Sequence, residues 1–158
     1  MSCGVALAIS LLLADPNVAA AAAQPPVAPA APLSVASEPL FADIVARSGG
    51  LRDLVRGWME TGAADQTGFF ASETFTGFRT RTTELAALDM QGHLILKERG
   101  TDSDLKCILR GISEDMPKKV EAVETAASPA ERRVALDELA YLLNDNVEVI
   151  TAPPAPPV

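Results

Sequence analysis

Cys107 and His93 are the two residues of this chain best suited to nucleophilic chemistry. Cys107 is the only cysteine outside the first few residues, and His93 is the only histidine. A reactive thiolate needs an adjacent base or positive charge, so a Cys107–His93 dyad would make a thiol-dependent enzyme. The simpler interpretation places His93 on a helix surface, four residues from both Asp89 and Lys97. We favour that interpretation.

The segment around Cys107 is rich in carboxylates, which raises the question of metal binding. The carboxylates are Asp102, Asp104, Glu114 and Asp115. A calcium-binding EF-hand loop needs glycine at its sixth position and glutamate at its twelfth, where this segment has Cys107 and Ser113. The acids fit better as helix-start residues. The chain also contains no CxxC, HExxH, GxSxG or glycine-rich phosphate loop, so we expect no catalytic residue, metal or cofactor.

Most of the aromatic residues are clustered in one part of the chain. They are Trp58, Phe69, Phe70, Phe75 and Phe78. The cluster could line a ligand pocket, with Trp58, Phe75 and Phe78 as the contact residues. The simpler prediction is that it forms core where the first two helices meet.

Four segments repeat apolar residues at helical spacing, so we expect four helices. These helices must position Cys107, His93 and the aromatic cluster. We expect the first helix to be capped by Ser37, with Pro39 in its first turn, and to break or bend at Gly49–Gly50. The second is predicted as one long helix ending at Gly100. The pattern favours an all-α fold, a small antiparallel bundle or hairpin of about four helices.

The third and fourth helices have clear start signals. The third is predicted to begin at Ser103 or Asp104, and Pro117 should kink it or split it in two. The fourth opens with "SPAE", where Ser128 caps, Pro129 takes the first turn and Glu131 closes a capping box. An α+β alternative has a β-hairpin at residues 93–112.

Two helix faces lie away from the main apolar stripes and are predicted as possible interfaces. Cys107 and Gly111 lie opposite the stripe of the third helix, and Val134 and Tyr141 form a second apolar face on the fourth. Cys107 is most simply a small residue buried under the first helix, and otherwise a link in a homodimer or to a protein partner. For Val134 and Tyr141 the simpler explanation is that the fourth helix is central in the bundle.

Length and composition predict one domain with tails. The chain has 158 residues, of which 48% are hydrophobic. Residues 1–23 resemble a signal peptide but lack a basic start, so they are either removed on export or a buried apolar segment. They are followed by a Pro/Ala-rich linker (24–37), a helical domain (38–150) and a Pro-rich tail (151–158). We expect a periplasmic or secreted protein with no stable membrane span.

The net charge of −8 argues against nucleic-acid binding, which needs a clustered basic surface. The sequence therefore favours a non-enzymatic exported helical protein that acts through protein–protein contacts, as an accessory, adaptor or assembly subunit of the bacterial envelope. The alternatives are a carrier of a small apolar ligand and, less favoured, a thiol-dependent enzyme.

Overall fold

The computed structural model describes residues 34–101 and 103–152. The described chain contains the helices α1 (Pro39–Thr61), α2 (Glu73–Arg99), α3 (Ser103–Thr125) and α4 (Pro129–Thr151). Short 3-10 turns cover Val35–Ser37, Ala63–Asp65 and Phe69–Ala71. No strand is present in these residues, so the all-α prediction is confirmed and the hairpin alternative is wrong. The predicted signal peptide (1–23), most of the linker and nearly all of the C-terminal tail lie outside the described residues.

The four helices form a closed ring around one core. α1 packs against α2 and α4, and α3 packs against the same two helices. Because short links join α2 to α3 and α3 to α4, consecutive helices run antiparallel. The largest fully buried side chains are Phe41, Phe75, Phe78, Ile44, Leu85, Leu96, Leu109, Met116, Leu139, Leu143, Ile150 and Val55.

Helix α1 differs from the sequence prediction in its start and its continuity. Its N-cap residue is Glu38, because Ser37 belongs to the preceding 3-10 turn and does not cap. The helix also continues through Gly49–Gly50, where a break or bend was expected. Each glycine costs a helix about 1 kcal/mol. Buried side chains on both sides of the pair, Ser48 and Leu51, hold α1 against the core.

Helix α3 continues through Pro117, so the predicted possibility of two separate helices is wrong. A proline inside a helix removes one backbone hydrogen bond. Met116 and Val120 are buried on either side of it, and this packing keeps the segment helical. The Ser113 hydroxyl, one turn earlier, donates to the Ala86 carbonyl of α2 at 2.7 Å and ties the two helices together.

Helix α2 comes very close to its neighbours at Gly92. A Cβ atom at this position would lie 3.1 Å from Leu109 Cδ1 and 3.2 Å from Phe41 Cε1. Such distances are tighter than ordinary van der Waals contact, so a larger residue would force core side chains to move. Gly92 therefore sets how closely the side chains of α1 and α3 approach α2.

The ends of α2 and α4 follow the local signals in the sequence. Gly100 adopts a left-handed conformation (φ 69°) as the C-cap of α2. Ser128 Oγ accepts a hydrogen bond from the Glu131 N–H at 3.2 Å. The Glu131 carboxylate accepts from the N–H of Ala127 at 3.0 Å, one residue before the position that a standard capping box uses.

Replacing Ser128 with alanine is expected to lower the free energy of unfolding by about 1 kcal/mol, because the Glu131 N–H loses its acceptor. Urea denaturation followed by circular dichroism measures the change. Ser37→Ala is the matched control, since Ser37 is exposed and caps no helix. Equal losses in the two variants would contradict the capping assignment.

Candidate functional site

A cluster of three polar side chains lies in the centre of the bundle. Ser48 of α1, Asp89 of α2 and Asn146 of α4 each have 0% exposed surface. The Asn146 Nδ2 group lies 3.0 Å from Ser48 Oγ and 3.0 Å from each carboxylate oxygen of Asp89. We call these three residues the polar cluster. It joins three helices through one amide group.

Within the polar cluster, Asp89 has a strongly shifted pKa. Burial raises the pKa of Asp89 from 3.8 to about 7, and the hydrogen bond from Asn146 opposes this rise only in part. Asn146 Oδ1 is also buried and has no hydrogen-bond partner. A carboxyl group with such a pKa exchanges its proton near neutral pH. The cluster has no exposed surface, and its hydrogen bonds hold three helices together.

Sequence reasoning missed the polar cluster as a group. The available signal was a polar residue at a position where the apolar repeat of its helix faces the core. Ser48 stands between Ile44 and Leu51 in this way, and both neighbours are buried. The apolar repeat identifies Ser48, Asp89 and Asn146 one at a time, but it does not show that the three side chains are in contact.

His93 is buried, so its predicted location on a helix surface is wrong. Its Nδ1 atom lies 2.6 Å from the Lys106 carbonyl oxygen of α3. A carbonyl oxygen can only accept, so Nδ1–H is the donor in this contact. His93 follows Asp89 by one helical turn, which places it on the inward side of α2 and next to α3.

Cys107 is exposed, and the expectation that it lies buried under the first helix is wrong. The reason is the ring order, in which α1 and α3 lie across from each other while Cys107 faces outward from α3. Although Cys107 directly follows Lys106, no hydrogen bond joins its thiol to His93. Gly111, one turn further along, is half-buried. A role for Cys107 and Gly111 in an interface stays a prediction.

The aromatic residues pack against one another between α1 and α2. The rings of Trp58 and Phe78 are 4.7 Å apart in an edge-to-face arrangement, and Phe75 lies 6.0 Å from Phe78. All three side chains are buried. Surface pockets of about 280 and 360 Å³ adjoin Trp58, but neither is lined by Phe75 or Phe78. A ligand pocket formed by the three rings together stays a prediction.

A groove of about 240 Å³ runs between α2 and α3. Its lining residues are Arg79, Thr82, Thr83, Ala86, Pro117, Val120, Glu121 and Glu124. The lining residues include small side chains of α2 and Pro117 of α3, which leave space between the two helices. An ion pair between Arg79 and Glu124 lies at its rim. The groove is therefore mainly apolar with a charged edge.

The outward side of α4 carries two large exposed hydrophobic residues. Val134 is 60% exposed and Tyr141 is 72% exposed. They lie two helical turns apart on one side of the helix, with Asp137 between them. We call this surface the α4 face. Because it faces solvent, the interpretation that α4 is central in the bundle is wrong.

The fold and these surfaces define an antiparallel four-helix bundle whose hydrophobic core encloses the polar cluster. Comparison of the chain with protein-family models, with curated proteins and with solved structures found no match. Among the described residues, no helix is long and apolar enough to cross a membrane. The same residues contain no group of three or more His, Cys, Asp or Glu side chains placed to hold a metal ion.

Proposed function

We propose that this chain is a non-enzymatic, exported helical protein of the bacterial envelope that acts through contacts with other proteins. It would serve as an accessory, adaptor or assembly subunit. The observation that carries the proposal is the α4 face. Single exposed hydrophobic residues are common on soluble proteins. Two of them aligned on one helix, one being a tyrosine, resemble the anchors that dominate binding energy in protein interfaces.

The surroundings of Cys107, His93 and Asp89 support a non-enzymatic role. The Cys107 thiol and the His93 ring lie on adjoining helices but share no hydrogen bond, and His93 is engaged with the Lys106 carbonyl. The Asp89 carboxyl group is enclosed in the core. None of these groups combines exposure with an activating partner, which nucleophilic or acid–base catalysis requires.

Site-specific photo-cross-linking in the native cell tests the proposal. A photoreactive amino acid is placed at position 141 of the full chain, and at position 94 as the control. Leu94 is the matched control because it is also a large exposed hydrophobic residue (54%), on α2. We expect discrete protein adducts from position 141 and none from position 94. The adducts should occur in the envelope fraction, with a mature chain whose mass corresponds to a start near Gln24.

Two results would contradict the proposal. Equally weak cross-linking at positions 141 and 94 would mean that the α4 face does not contact a partner. A chain found only in the cytosol, with its mass starting at Met1 or Ser2, would remove export. Mass measurement with and without reductant also shows whether Cys107 links two chains.

A further inference from the structure

The α4 face has a charge pattern that indicates the kind of partner it contacts. Resting on the proposed function, we infer that the α4 face binds a basic amphipathic helix of a different protein rather than a second copy of this chain.

The apolar geometry suits a helix as the occupant. Val134 and Tyr141 are seven residues apart, which is about 10.5 Å along the helix axis. This is the repeat at which a second helix presents its own apolar side chains when two helices pack lengthwise. Ala130, one turn before Val134, is exposed as well and leaves room for a larger partner residue. The face is therefore an apolar strip about three turns long.

The charges on the face are acidic. Asp137 lies between the two anchors, and Glu138 and Glu148 lie beside them, all three exposed. Glu138 is paired with Lys119 of α3 at 2.6 Å. Within the described part of the chain no ion pair involves Asp137 or Glu148. Glu148 Oε1 accepts a hydrogen bond from the Asn144 amide at 2.7 Å, but this donor is neutral. Among the described residues, neither Asp137 nor Glu148 has a cationic partner, so lysine or arginine side chains of a partner would give complementary potentials across the contact.

The basic residue next to Val134, Arg133, does not change this balance. Arg133 is exposed, but its Nη1 group donates to the Met59 carbonyl at the end of α1, at 3.3 Å. Its side chain is therefore directed towards α1 and away from Tyr141.

The same charges disfavour pairing of two copies. If a two-fold axis passed through the α4 face, the same surface of both copies would meet. Residues close to the axis would then lie near the same residues of the second copy. Asp137 lies at the midpoint of the strip, so it would approach Asp137 and Glu138 of the second copy. Like charges brought together at an interface weaken association. A basic helix meets no such repulsion.

Titration of the isotope-labelled full chain with two synthetic peptides, followed by NMR, tests the inference. Each peptide has three heptads with leucine at the two core positions. One carries lysine at the flanking positions, and its twin carries glutamate. We expect the lysine peptide to shift the signals of the α4 face, and its affinity to fall steeply as salt is added. The glutamate peptide should leave these signals unchanged.

Matched variants locate the contact. Tyr141→Ala should weaken binding of the lysine peptide about tenfold or more. Asp137→Asn should weaken it less and flatten its salt dependence. Leu94 and Glu98 repeat the hydrophobic–acidic pair, four residues apart, on the exposed surface of α2. Leu94→Ala and Glu98→Gln should therefore leave binding unchanged.

Several outcomes would overturn the inference. These are equal binding of both peptides, shifts confined to other surfaces, and no shift with either peptide. Self-association that disappears in Tyr141→Ala would assign the face to a second copy instead. The photo-cross-links from position 141 decide separately whether the proposed function survives, because they do not depend on the charge of the partner.

Discussion

Replacing Asp89 with asparagine is expected to raise the free energy of unfolding at about pH 8 by about 4 kcal/mol. Burial raises the pKa of Asp89 to about 7, so the ionised carboxylate is unfavourable in the folded core. The asparagine has nearly the same shape and carries no charge. The substitution therefore removes the penalty for burying the ionised carboxylate.

The pH dependence of this effect has a definite sign. The folded-state pKa of Asp89 lies above its ordinary value of 3.8, so between about pH 4 and 7 the folded chain binds more protons than the unfolded chain. The contribution of Asp89 to stability therefore falls as the pH rises through this window. Asp89→Asn should abolish that decline and have its largest stabilising effect above pH 7.

Chemical denaturation of wild type and Asp89→Asn at several pH values measures both effects. Asp137→Asn serves as the control, because Asp137 is exposed and its replacement should leave the pH profile nearly unchanged. Loss of stability in Asp89→Asn at about pH 8, or an unchanged slope between about pH 4 and 7, would contradict the assignment.

Replacing Phe78 with alanine is expected to lower the free energy of unfolding by about 3 to 5 kcal/mol. Phe78 has no exposed surface, and its ring contacts Trp58 edge-to-face. The substitution removes buried apolar area and leaves a cavity that the neighbouring rings of Trp58 and Phe75 are too rigid to fill. Urea denaturation followed by the fluorescence of Trp58, the one tryptophan of the chain, measures the loss.

Phe70→Ala is the control for Phe78→Ala. Phe70 belongs to the same aromatic cluster, but it is half-buried and its ring lies beside the Arg132 guanidinium at 5.2 Å. Its replacement should cost clearly less, because less apolar area returns to water. A larger loss from Phe70→Ala than from Phe78→Ala would contradict the placement of the core.

Local signals predicted the helix ends better than the helix interiors. The cap by Ser128 and the termination at Gly100 depend on residues within one turn, and both are present in the structure. The helix is unbroken at Gly49–Gly50 and at Pro117, where a break or a split was among the expectations. At those positions contacts with the rest of the core outweigh the local preference of glycine or proline.

The surfaces and the polar cluster depended on information that the sequence pattern lacks. Helical spacing showed that Val134 and Tyr141 share a face, but not that this face lies outside the ring of helices. Asp89 and Asn146 are 57 positions apart, so their contact depends on how α2 and α4 are rotated and aligned. Periodicity does not define either quantity.

The polar cluster has a consequence for the number of ways in which the bundle can pack. Stripes of leucine, isoleucine and valine tolerate sliding of one helix along another, because one aliphatic contact replaces another. A slip of α4 by one turn, about 5.4 Å, would take Asn146 away from both Ser48 and Asp89. The carboxyl group of Asp89 would then be buried without its donor, which is costly. Slipped packings are therefore penalised, and the shared amide selects one alignment of the three helices.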